Sequence, residues 1–111
     1  MNVEQLNDMT DLEIDEAVAL AQGLGVHRVT CDVWLMENGK PTGIYSPTAN
    51  TTEGKAQAFD LIVEYELDVS TNNGELTRVC VWKDFNIISD VFNTNVQRAI
   101  CEAVILSAQE K

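Results

Sequence analysis

Residues 26–45, VHRVTCDVWLMENGKPTGIY, decide the fold class. Val29, Cys31, Val33 and Leu35 alternate with Arg28, Thr30, Asp32 and Trp34. Successive side chains of a strand point to opposite faces, so this period of two predicts one strand over Val26–Met36 with a single buried face. Glu37-Asn38-Gly39-Lys40 follows. Asn-Gly tolerates the positive φ of a tight type I′ turn, so the chain should reverse there. Pro41–Tyr45 then returns as a short strand, held at an edge because Pro41 has no N–H for a second neighbour. A hairpin this tight makes the sheet antiparallel.

Helices are expected on both sides of that hairpin. Residues 1–9 are polar and read as a loose leader, with the domain proper at 10–111. Thr10 and Glu13 match a capping box, in which the hydroxyl takes the Glu amide and the carboxylate reaches back. Leu12, Ala17, Val18, Leu20 and Ala21 recur at helical spacing behind it, and Gly23 and Gly25 end the run. A second helix starts at Thr51 or Thr52 and reaches about Tyr65. Its apolar side is read as Ala56, Phe59, Ile62 and Val63, opposite Glu53, Lys55, Asp60 and Glu64. Leu67–Ser70 reads as a strand, Asn72-Asn73-Gly74 as a second hairpin signal. Leu76–Lys83 alternates with apolar residues on both faces, as a central strand does. Phe85–Phe92 continues as extended or irregular chain, with room for one extra strand. Thr94 with Gln97 opens the last helix as a second capping box. Val96, Ile100, Cys101, Ala103, Val104 and Ile105 cover more than half of that helix. It is therefore either deeply buried or shared with another subunit. The order α-β-β-α-β-β-α gives a single α+β domain, a mostly antiparallel sheet packed against helices.

Composition bounds the function. Eighteen acidic residues face seven basic ones, a formal charge of -11 over 111 residues. Such a chain repels phosphate backbones and anionic membranes, which excludes direct nucleic-acid binding as the expected role. Apolar residues make up 45%, enough for a core. The margin is thin at this size, and pairing of two copies as a homodimer would widen it. The start MNVEQLNDMTDLEIDE has acids where a secretory leader needs a basic end, and no apolar run approaches a membrane span, so a cytosolic location is expected. Cys31, Cys80 and Cys101 are odd in number, widely spaced and set in apolar stretches. They read as buried reduced thiols.

The segments YSPTANTTEGKAQAFDLIVEYELDVS (45–70) and NVQRAICEAVILSAQ (95–109) carry a resemblance. With the acidic first helix and the Trp-bearing hairpin, they resemble small phage and prophage proteins of the ABA sandwich type. The NinX-like phage proteins are a similar group. Ala99-Ile100-Cys101-Glu102-Ala103 matches the Ala-Ile-Cys-x-Ala motif of the final helix in that group, and Tyr45-Ser46 with Ala56, Ala58 and Phe59 matches the earlier motif more loosely. The loop over 45–52 is longer than in that pattern, and Phe59 stands where Trp is usual. The resemblance implies phage origin and fold, with action in a host cytosol, and carries over no catalytic residues.

No reactive constellation stands out. Asp32 and Asp84 lie near Trp34 and Trp82, where an indole could raise a carboxyl, yet both read as outward-facing charges. His27 and Cys31 are four apart, about 13 Å along one strand, too far to pair. One histidine and three thiols do not make a zinc site, and no calcium or phosphate loop is present. The expectation is therefore no enzyme, no cofactor and no metal. Two binding readings remain. In the first, Asp11, Asp15 and Glu16, with Asp60 and Glu64, present rows of charge to a basic host protein, inhibiting a nucleic-acid-binding or defence component. In the second, Arg28, Trp34, Tyr45, Arg78, Trp82 and Arg98 build a pocket for an anionic nucleotide.

Overall fold

The computed structural model describes residues 2–72 and 76–109. Its elements are α1 (Val3–Asn7), α2 (Asp11–Ala21), β1 (Val26–Arg28), β2 (Val33–Glu37), β3 (Lys40–Ile44), α3 (Thr52–Glu64), β4 (Asp68–Asn72), β5 (Leu76–Lys83), β6 (Asn86–Asn93) and α4 (Val96–Ala108). The strands form two separate antiparallel sheets, ordered β1-β2-β3 and β4-β5-β6. The α+β class and the antiparallel pairing agree with the sequence reading, and β5 is central as its two-sided pattern requires.

The long strand expected over Val26–Met36 is divided. The Val29 N–H donates to the Asp32 carbonyl at 2.9 Å, closing a turn over the polar Thr30-Cys31 pair. β1 then folds back on β2, with Arg28 opposite Val33 and His27 opposite Trp34. Alternation alone could not reveal this, because residues on either side of a short turn keep the same apparent period. Cys31 consequently sits exposed at the turn, contrary to the expected burial, while Cys80 and Cys101 are buried. The Asn38-Gly39 turn has the expected geometry, with φ of 54° and 79°, and Pro41 lies on the edge strand β3.

Other differences share a physical cause: burial follows packing partners rather than side-chain size. The leader expected to be loose contains α1, opened by a capping box between Asn2 and Gln5 and anchored by Leu6, which is fully buried. α3 turns Gly54, Ala58 and Leu61 inward. Phe59 and Val63, read as its apolar side, are 62% and 63% exposed. The small residues win because the chain over 46–49 lies flat against the first turn of α3, leaving no room for a large one. The extra strand near Phe85 exists as β6, paired with β5 from Thr77↔Asn93 to Lys83↔Asn86. The hairpin signal at Asn73-Gly74 lies outside the described residues. α4 is capped one residue later than expected, by the Asn95 side chain on the Arg98 amide.

α4 is the centre of the molecule. It packs on β5 and β6, with α2 and α3 alongside it. Ala99, Ile100, Cys101, Ala103, Val104 and Ile105 are all buried within the one chain. Its apolar girth is therefore used internally, and the reading that it is shared with another subunit falls away. Val79 and Val91 meet α4 from the inner face of the second sheet, where the Ser89 hydroxyl donates to the Ala103 carbonyl at 3.3 Å. None of the described helices is long and apolar enough to cross a membrane.

Candidate functional site

A groove of about 740 Å³ lies between the start of α2, the β1–β2 turn, the end of β3 and the segment leading into α3. Thr10 fixes the first turn of α2: its hydroxyl accepts the Glu13 amide, and the Glu13 carboxylate accepts the Thr10 N–H. Asp11 and Asp15, one helical turn apart, then share a face that borders the groove. Asp32 and Trp34 enter from the turn and from β2, and Glu53 from the first turn of α3. The floor and wall include Val33, Tyr45, Ser46 and Thr48.

The segment over 45–51 has no regular structure, yet it is held by side chains from three helices. The Gln57 amide accepts the Ser46 N–H at 2.7 Å and donates to the Ile44 carbonyl at 2.9 Å. Gln97, expected as a capping residue, instead donates to the carbonyls of Pro47 and Ala49. The Tyr45 hydroxyl accepts from Gln22 at 2.6 Å. Burial pushes that phenol up, so it stays neutral.

Asp15 is the deepest acid of the site, 4% exposed. Its two oxygens accept the Thr48 amide and hydroxyl, both at 3.0 Å. Burial pushes its carboxyl up to about 6, against the two Thr48 bonds that hold it down. The folded state therefore binds this proton more tightly than the unfolded chain. Stability from this group is present at acid pH and is lost as pH rises through about 6. Relative to Asp15→Asn, the wild type should gain about 2 kcal/mol of unfolding free energy between pH 7 and about pH 4.5. Parallel denaturant titrations of both proteins check this; equal pH profiles would contradict it.

The structure distributes the sequence-derived candidates unevenly. Asp11 is at the groove rim, bonded to Arg98 at 2.8 Å. Asp15 faces inward, so it belongs to no solvent-exposed row. Glu16 is half-buried, 3.8 Å from the Arg28 guanidinium. Asp60 and Glu64 are exposed on α3, away from the groove lining. The nucleotide pocket does not form. Trp34 and Tyr45 line the acidic groove, whereas Arg78 and Trp82 lie on the other sheet. Arg78 is held bidentately by Asp90 at 2.8 and 2.9 Å. Arg98 is spent on internal partners, Glu102 and the carbonyls of Leu6 and Met9 among them. With Arg28 beside Glu16, the six residues are spread over four places and do not converge on one anion.

Glu53 and Thr48 were missed as site residues, and Asp32 was read only as an outward charge. Position next to the Thr51 cap was the one signal for Glu53; nothing in the local sequence marks Thr48 as the partner of an acid 33 residues away. Asp84 is exposed at the β5–β6 turn and is not among the residues that line the groove. Among the described residues, no group of three or more His, Cys, Asp or Glu is placed to hold a metal ion. Cys101 is fully buried, and burial, then Asp15 and Glu102, push its thiol well up, which removes thiolate character. Comparison of the chain with family models, curated proteins and solved structures found no match to any of them.

Proposed function

We propose that the protein binds a basic segment of a partner protein in this groove and performs no turnover. One observation carries the reading. Asp32 and Glu53 border the concavity beside Asp11, which also bonds Arg98, and above the buried Asp15, and none of its lining residues is basic. Facing carboxylates with an indole wall suit lysine and arginine side chains, which gain charge-assisted bonds and a cation–π contact at once. The formal charge of -11 adds long-range attraction for the same class of partner. The resemblance to small phage proteins makes a host protein the expected owner of that segment, one that binds nucleic acid or acts in defence. Occupying its basic surface would inhibit it. The rival role in nucleotide sequestration lacks such support, because Arg78 and Trp82 lie on the other sheet, away from Trp34 and Tyr45 in the groove.

Capture of partners from a host lysate tests this. The bound protein should elute as salt rises, since ionic attraction is screened over about 8 Å at physiological strength. Asp32→Asn with Glu53→Gln should release it at lower salt than wild type. A partner retained equally by wild type and the double variant would refute the groove as the binding site.

A further inference from the structure

All three phenylalanines of this chain lie on its surface. Phe92, on β6, is 54% exposed, and Phe85, at the β5–β6 turn, is 99% exposed. Leu76, Trp82 and Ile87 lie on the same sheet at 43%, 52% and 40%. The register places them. Arg78 pairs with Phe92, Cys80 with Asp90 and Asp68, and Trp82 with Ile87, all on the face turned away from α4. The opposite face, with Val79 and Val91, is the one in the core.

We propose that this outer face of the β4–β5–β6 sheet joins two copies of the protein. Three observations lead there, and none depends on the acidic groove. The polar groups of the face already satisfy one another. Asp90 takes two bonds from Arg78, at 2.8 and 2.9 Å, and one from the Cys80 thiol at 3.4 Å. The Trp82 N–H donates to Asp68 at 3.3 Å, and the Arg78 guanidinium lies 5.5 Å from the Phe92 ring centre. Covering the face therefore buries aromatic area while the Arg78–Asp90 pair and the Trp82 N–H keep their partners, which lowers the usual obstacle to desolvating a sheet.

Charge then selects the occupant. Arg78 and Lys83 offset Asp68, Asp84 and Asp90 on the described part of this sheet to within one unit. The rest of the molecule carries nearly all of the -11. A basic partner is drawn elsewhere, whereas a second acidic copy meets least repulsion here. Trp, Phe and Arg at the centre of a patch are also the residue types that anchor interfaces.

Size sets the strength. Strands of 8 residues span about 26 Å, and three strands about 14 Å, on the order of 400 Å² per copy. That falls below the roughly 1,000 Å² in total that stable complexes bury, so the association is weak and reversible. Its salt dependence has the opposite sign to that of groove binding: screening removes repulsion between two like-charged copies.

Sedimentation equilibrium on the full chain tests this, from low micromolar protein to about 0.5 mM, at about 50 and 500 mM sodium chloride. The wild type should dimerise over this range, about ten-fold more tightly at the higher salt. Phe92→Ser and, separately, Ile87→Ser should remain monomeric throughout while still unfolding cooperatively at low concentration, their side chains being 54% and 40% exposed. A wild type that stays monomeric would overturn the proposal. So would a dimer that loosens as salt rises, or one that survives both substitutions. Loss of partner capture in Phe92→Ser with a monomeric wild type would assign the face to a different protein, and would equally sink the pairing of copies.

Discussion

Arg98→Met should destabilise the fold by about 3 to 5 kcal/mol, the cost of leaving a buried charge without its partner. Arg98 joins elements distant in sequence. Its Nε donates to Glu102 at 3.2 Å, its Nη1 to Asp11 at 2.8 Å, and its Nη2 to the carbonyls of Leu6 and Met9 at 2.6 and 2.7 Å. Glu102 is 1% exposed and keeps only the Asn93 amide, at 3.2 Å, once the arginine is gone. The Asp11 pair contributes little of this loss, because that carboxylate is largely in water. Most of it comes from Glu102 and the two carbonyls that terminate α1 and the turn after it. Unfolding in denaturant measures the effect. Arg98→Met with Glu102→Gln should recover part of it, since the orphaned charge is then absent. A single variant within about 1 kcal/mol of wild type would show that the hub does not hold the N-terminal segment to α4.

Gly54→Ala should cost about 3 kcal/mol or more, the upper end of over-packing penalties. Gly54 is buried in the first turn of α3, where alanine would ordinarily favour the helix. Space decides against it. A Cβ there would lie 2.6 Å from the Ser46 carbonyl oxygen and closer still to that of Ala49. The Ala49 carbonyl accepts from Gln97, the Ser46 carbonyl accepts the Ala49 N–H at 2.9 Å, and Gln57 accepts the Ser46 N–H. Neither can retreat without moving the segment that forms the groove wall. The variant should therefore melt lower and also bind more weakly at temperatures where it remains folded. Calorimetry gives the first result. An unchanged melting temperature would mean that the wall yields freely, against the rigidity described for it.

These two residues mark the boundary of what the sequence reveals. Helix starts at Thr10 and Thr51, the Asn38-Gly39 reversal and the central strand β5 were all legible, because caps, turns and alternation act over a few residues. The split of β1 from β2 was not, since a four-residue turn can preserve a period of two. Nor was the inward face of α3, where a glycine and an alanine bury while Phe59 stays out. Site assembly was the least legible. Asp15 reads as one of a run of solvated acids, yet its partner Thr48 comes from a distant loop and its charge is buried. Arg98 reads as a free cation for an anionic ligand, yet α1 and α4 consume it. Acidity itself was visible from composition; its concentration around one concavity depends on long-range contacts.

Fluorescence of Trp34 tests the central claim most directly. The chain has two tryptophans, so a Trp82→Phe background leaves Trp34, in the groove wall, as sole reporter. Titration with an arginine- and lysine-rich peptide should quench or shift that emission. Affinity should fall about ten-fold or more between roughly 50 and 500 mM salt, and fall again on adding Asp32→Asn and Glu53→Gln. An emission that ignores the peptide, or an affinity indifferent to both salt and those two carboxylates, would contradict binding of basic segments in the groove.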